Sequence, residues 1–398
     1  MAALVAVAIA TVIALNLARV GFPLPPSGRR IGCVDGLRGY LALSVVAHHF
    51  VVWVQVDRMG LQWAPPSINL LNQLGAGAVA LFFMTTGLVF YPIVLAGFRS
   101  TSWVAVYTSR AFRILPLVVV SVLIISAIIV LRTGVAPDRH YVPAVMRWLT
   151  SWSEPPLLGY PDSGRVNAYV LWSLWFEWVF YLLLLPLCAL AMDAVRVAGR
   201  PTWVVPLGLL LAATIGRLIV GRLGIHSAAI DRIGLQYLPL FSVGMFAYEI
   251  QGRERMRKML RRPVFSAVGA IALILGMTVA PFPYGFALPL FAIFFMCVAC
   301  GNDFWGILTT RGALVLGECS FSIYLLHGIL LDVLFVDLRA FEARNVAILL
   351  PVVAVAVTLV ASASYLAVER PAIRAGKSIV RVFERARGTR VVRSSSAS

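Results

Sequence analysis

An all-α fold, a polytopic membrane bundle of about eleven helices, is what this sequence predicts. Three observations carry the prediction. Of the 398 residues, 60% are hydrophobic and 13% charged, against roughly 25% charged in a soluble domain. Apolar runs long enough to cross a hydrocarbon core about 30 Å thick recur along the chain. Between those runs, cations concentrate in alternate loops.

Taken in order, the spans read from run length are 3–20, 37–56, 74–95, 112–131, 168–192, 202–221, 234–250, 264–281, 284–300, 317–335 and 345–367. The first lacks a positive leading region, and Arg19, Arg29 and Arg30 follow it. It reads as a retained anchor with its N-terminus outside rather than as a signal peptide. Residues 1–31 then form an anchor and linker, 32–371 a membrane domain, and 372–398 a basic cytoplasmic tail without an ordered fold of its own.

The net charge is +17, and Lys258 and Lys377 are the only lysines. So basic a chain can signal nucleic acid. Here the cations lie between apolar spans, so topology and anionic lipid account for them, and no nucleic-acid partner is expected. One side collects Arg29, Arg30 and Arg38, then Arg99, Arg110 and Arg113, then Arg196 and Arg200. It also holds the cations of 253–262, Arg311, and the tail from Arg370 to Arg393. The other side holds Arg58, Arg132, Arg139, Arg222, Arg232 and Arg344. The richer side is assigned to the cytoplasm.

Five cysteines all lie in or beside apolar segments, so no disulfide framework is expected. Cys297 and Cys300 form a C-x-x-C without a second pair or a histidine cluster. They read as small buried residues, and no metal is expected.

Several polar constellations interrupt the apolar runs, where ionisable groups are expensive and mark functional candidates. In 35–50, Arg38 and His49 are eleven residues apart and lie within about 20° on a helix, with the imidazole about 16 Å deeper. Asp35 is about 21 Å from His49 along the axis, so its expected partner is Arg38, while His48 points about 80° away from Arg38. Span 74–95 is dotted with small residues suited to close helix packing, and Thr85 and Thr86 alternatively line a polar cavity. Arg110 and Arg113 share a face at the cytoplasmic rim, fitting either a phosphate grip or topology and lipid contacts. Pro116 falls in the first turn of that span.

On the fifth span, Ser173, Glu177 and Tyr181 share a face beside Trp172, Trp175 and Trp178. Placed toward the outer side, Glu177 suits a sugar hydroxyl, an imidazole or an arginine partner. Ser320, Tyr324 and His327 share a face on the tenth span. Pro371 stops the last helix, and Glu369 beside it is expected to pair with an arginine. The loop 132–167 is rich in Trp, Pro, Tyr and Ser. It offers a surface for sugar rings or an interfacial aromatic belt.

These motifs, in this order over roughly 32–371, resemble acyltransferase family 3. Arg38, ten residues and His49 match its opening signature. Arg110-Ala-Phe-Arg113 matches its R-x-x-R, and Trp172-Ser-Leu with Glu177 and Tyr181 its W-S-L-x-x-E. Ser320-Phe-Ser-Ile-Tyr324 with His327 matches S-Y-S-x-Y-x-x-H, and Val368-Glu-Arg-Pro371 matches V-E-x-P. One departure is Thr86-Gly-Leu where the family carries Ser-Gly-Phe.

The resemblance implies a ten-helix core with one added N-terminal helix, in a bacterial cytoplasmic (inner) membrane. It implies transfer of an acyl group, usually acetyl, from cytoplasmic acyl-CoA to a hydroxyl of a carbohydrate acceptor across the lipid bilayer. Arg38, Arg110 and Arg113 would bind the acetyl-CoA phosphates, and His49, with Arg38 and Glu177, would do the chemistry. Trp172, Ser173, Tyr181, Ser320, Tyr324 and His327 would contact substrate. The alternative is a transporter for a polar or lipid-linked substrate, but the sequence shows no paired inverted repeat. The enzymatic account also requires that Arg38 and His49 serve one connected space.

Overall fold

A computed structural model describes residues 1–24, 31–225, 227–339 and 346–395, with side chains throughout except at 228–230 and 385–395. Arg29, Arg30 and Arg344, which entered the charge alternation, lie outside the described residues. Among the described residues every regular element is helical, apart from an isolated bridge between Leu157 and Tyr160.

A helix stands at each of the eleven predicted places. These are α1 (Ala2–Arg19), α2 (Gly32–Met59), α3 (Asn69–Ala96), α4 (Trp103–Thr133), α5 (Leu171–Val197) and α6 (Val204–Arg222). Then come α7 (Leu238–Gln251), α8 (Pro263–Val279), α9 (Leu288–Ala299), α10 (Ser320–Asp337) and α11 (Val346–Glu384). Among the described residues, eight are long and apolar enough to cross a membrane, or nine if α8 is joined to Glu254–Leu260 across a 74° bend. The 14 residues of α7 and the 12 of α9 fall short, at roughly 21 and 18 Å against a core of about 30 Å. The chain is a multi-pass membrane protein.

Close backbone approaches set the geometry around the centre. A Cβ on Gly39 would lie 2.5 Å from Leu316 Cβ, and one on Gly317 would lie 2.1 Å from the Asp35 carbonyl oxygen. Only glycine lets α2 touch the short helix Arg311–Glu318 there. This contact holds Arg38 beside the start of α10. In α3, a Cβ on Gly87 would meet the Phe241 carbonyl of α7 at 2.1 Å, so the packing reading of the small residues holds there. Outside the core, α1 buries Ala6, Ala10 and Ala14, and Phe22 beyond it stacks on Tyr365 at 5.5 Å.

Two helix boundaries differ from expectation. α4 starts at Trp103, not 112, because the amphipathic stretch before Arg110 continues the helix. Pro116 is therefore inside the helix, and Arg110 and Arg113 sit about 10–15 Å along it. Pro371 does not stop the last helix, which runs on as Arg370–Ser395, through the segment expected to lack order. The missing Pro371 N–H would leave the Ala367 carbonyl without its usual partner. A π-turn over Tyr365–Glu369 falls where that bond is lost. The same device, Phe180–Leu184, precedes Pro186 in α5.

Candidate active site

A cavity of about 380 Å³ opens between α2, α3, α4, α5 and α10. Its polar lining includes Arg38, Arg110, Arg113, Glu177 and Tyr181. Ser173, Ser320 and Tyr324 line it too, as do Thr85 and Thr86 from the glycine-dotted helix. The volume suits a small ligand or the arm of a larger one.

Each arginine has a defined seat. Arg38 lies 3.8 Å from the Asp35 carboxylate, as its helix spacing predicts, and donates to Ser320 Oγ at 2.9 Å. Arg110 rests over the Phe90 ring at 4.9 Å and the Tyr181 ring at 5.9 Å. Arg113 follows one turn later on the same face and reaches the same cavity. Glu177 accepts a hydrogen bond from Tyr181 at 3.0 Å. It shares the arginine cavity rather than an outer surface, because α5 carries it inward from Leu171 by about 9 Å. Among the described residues, Glu369 accepts from Ser322 and forms no ion pair with an arginine.

His49 lies one layer beyond this cavity and is not part of its lining. The layer is Tyr324, whose hydroxyl is 2.7 Å from Ser173 Oγ and 3.2 Å from the Val170 carbonyl oxygen. Behind it, His49 Nδ1 lies 2.9 Å from His327 Nε2. The His327 ring is 6.1 Å from the Tyr324 ring and fully buried. Thus Arg38 and His49 stand on one helix, but the connected space expected of them is closed here, with Tyr324 between the Arg38 cavity and the histidine pair. His48 donates from Nδ1 to the Leu71 carbonyl at 3.0 Å and packs on Gly75 of α3. Trp172 is left out of the cavity: it is 41% exposed and packs on Tyr237.

The opposite side of His49 is aromatic. Trp63 stacks on its imidazole at 6.3 Å and meets Tyr169 at 5.6 Å. The backbone of Asn167 packs so closely on α10 that a Cβ on Gly328, next to His327, would lie 2.5 Å from it. Ala168 and Tyr169 follow in left-handed conformations, φ 51° and 52°, a strain that only a well-held segment sustains. Asn167 is fully buried, and neither side-chain amide atom has a partner among the described residues. Glu154 accepts from the Leu171 N–H at 3.1 Å. Burial pushes its carboxyl up to about 8, and that N–H offsets only part of the rise.

Sequence reasoning singled out neither Trp63 nor Tyr169. Their signal was weak: single aromatics in irregular segments, one beside a Pro-Pro pair.

A protein-family model described as an acyltransferase domain matches residues 31–366. No curated protein and no solved structure matches the chain.

Proposed function

The chain belongs to acyltransferase family 3, and from that premise we propose that it moves an acetyl group from acetyl-CoA to a carbohydrate hydroxyl across a bacterial cytoplasmic membrane. It is a membrane acyltransferase by family; the donor, the acceptor and the roles that follow are our reading. The observation that carries it is the stacking along α2. A three-arginine cavity ends at Tyr324, and an imidazole pair stands immediately behind that residue.

In this reading the arginine side faces the cytoplasm, with the N-terminus outside and the C-terminus inside. Guanidiniums bind phosphate oxygens through charge-assisted, often paired hydrogen bonds. Arg38, Arg110 and Arg113 hold the donor phosphates, and the pantetheine arm points toward Tyr324. Ser173, Tyr181 and Ser320 line its path, and Glu177 orients its polar groups. The acceptor comes from the side of Trp63 and Tyr169, whose rings suit the apolar face of a sugar.

His49 takes the proton of the acceptor hydroxyl, and the oxygen attacks the thioester carbonyl carbon. The C–O bond forms, the C–S bond breaks, and the proton passes from His49 to the departing thiolate. Products are an ester and CoA thiol, with no net proton change. Tyr324 must swing aside for the two substrates to meet.

Purified protein in liposomes, supplied with labelled acetyl-CoA, tests the proposal. Release of CoA thiol with label esterified to added glycan is expected. Movement of intact substrate with no CoA release would make it a transporter instead. Mass spectrometry of surface glycans from a deletion strain then identifies the acceptor.

A further inference from the structure

We propose that His327 is a positioning residue that holds His49 in the Nδ1–H form, leaving the Nε2 lone pair of His49 as the base. The inference rests on the reading of His49 as the proton acceptor and assigns that role to one nitrogen.

The argument follows the donors and acceptors. His327 Nδ1 lies 2.7 Å from the Tyr324 carbonyl oxygen and 3.2 Å from that of Ile323. Carbonyl oxygens only accept, so Nδ1 of His327 carries a hydrogen. A neutral imidazole then presents a bare Nε2. The doubly protonated alternative would place a cation at a site with 0% exposure. Its described hydrogen-bond partners are two carbonyls and another imidazole, and a buried charge without a counter-ion is costly.

His327 Nε2 therefore accepts, and its partner at 2.9 Å, His49 Nδ1, donates. With its hydrogen fixed on Nδ1, His49 keeps the Nε2 lone pair free. When Nε2 gains a proton during transfer, Nδ1 can go on donating to His327, so the pair needs no rearrangement. The backbone carbonyls hold His327, His327 holds His49, and His49 meets the substrate: the logic by which an orienting group sets a catalytic imidazole.

The surroundings keep this chain in register. His327 is locked by its own helix, since both carbonyls belong to the preceding turn of α10. His48, with its ring 5.0 Å from that of His49, is committed to Leu71 and does not compete for Nδ1. Trp63 covers the imidazole by stacking.

The test combines spectroscopy with kinetics on the full-length protein in lipid. In protein with ¹⁵N-labelled histidine, with His49→Gln used to assign the signal, His49 should show a protonated Nδ1 and a bare Nε2. The reverse pattern would overturn the proposal. His327→Leu should lower kcat about a hundredfold and leave KM for acetyl-CoA nearly unchanged. His327→Gln offers a carbonyl oxygen near the place of Nε2 and should restore kcat to within about tenfold of wild type. An unaffected kcat in His327→Leu refutes the positioning role, as does a His327→Gln variant that is folded yet no better than His327→Leu. His49→Ala separates the two layers of inference. If it remains active, the base assignment itself fails; if it is inactive while His327→Leu is normal, only the role of His327 falls.

Discussion

The hydroxyls of Tyr324 and Ser173 lie 2.7 Å apart although 151 positions separate them in the chain. This contact ties α10 to α5 where the arginine cavity ends, with the histidine pair on the far side. The same two helices carry Ser320 and Glu177 into that cavity. The seam is therefore the floor of the arginine cavity, and it separates that cavity from the histidine pair. In the proposed reaction this partition keeps water from the thioester activated in the site until Tyr324 moves aside.

Replacing the partition should uncouple the two substrates. Tyr324→Ala removes the ring and its hydrogen bond together. Acetyl-CoA hydrolysis without acceptor should rise several-fold, while transfer to acceptor falls. Both are read from CoA thiol release with and without glycan. Hydrolysis at the wild-type rate, in a variant that still transfers normally, would show that Tyr324 is no barrier.

The arginines should act on donor binding. A charge-assisted hydrogen bond contributes about 1.5–3 kcal/mol, so Arg110→Ala or Arg113→Ala should raise KM for acetyl-CoA by about 10- to 150-fold. Lysine should restore only part of this, because a point charge cannot reproduce a planar fork. Arg38→Ala should be more severe, since Ser320 also loses its donor. Unchanged donor KM in Arg110→Ala and Arg113→Ala would move the phosphate site elsewhere.

The neighbouring histidines should separate by the kind of damage. His49→Ala should lower kcat by about 10²–10⁴ while the protein still inserts and folds. His48 is committed to α3 through Leu71 and Gly75, so His48→Ala should lower the thermal midpoint and spare most of kcat. Equal kcat losses in two equally stable variants would contradict this division of labour.

Much of this arrangement was legible in the sequence because it is local. The three-residue step from Asp35 to Arg38 gave their pairing, and the same step gave Arg110 and Arg113 a common face. Apolar run length located a helix at all eleven places, although α7 and α9 are too short to cross a membrane. Depth was harder to read. α4 continues past its hydropathy boundary on an amphipathic turn, which carries its arginines inward, and Glu177 then falls within their cavity instead of outside it. The His49–His327 contact spans 278 positions, so no helical period reports it; it follows from how α2 and α10 cross. Trp63 and Tyr169 belong to irregular segments, where spacing has no fixed meaning.

Glu154 gives the loop before α5 a pH dependence whose sign follows from its burial. Its carboxyl moves from an ordinary 4.5 to about 8 in the folded protein. Between those values the folded state keeps a proton that the unfolded chain releases, so stability falls as pH rises through the window and levels off above it. At pH 5 and below the contribution is intact; near pH 8 it is lost, as the buried carboxylate becomes charged with the Leu171 N–H as its hydrogen-bond partner. Glu154→Gln keeps the shape and cannot ionise. Thermal midpoints of both proteins at pH 5, 6.5 and 8 should therefore diverge, with the variant gaining on wild type as pH rises. Amide exchange over residues 150–170 should quicken with pH in wild type beyond its intrinsic rate, and not in the variant. Parallel midpoint curves would mean that the carboxyl is already ionised at pH 5 and that Glu154 is solvated rather than buried.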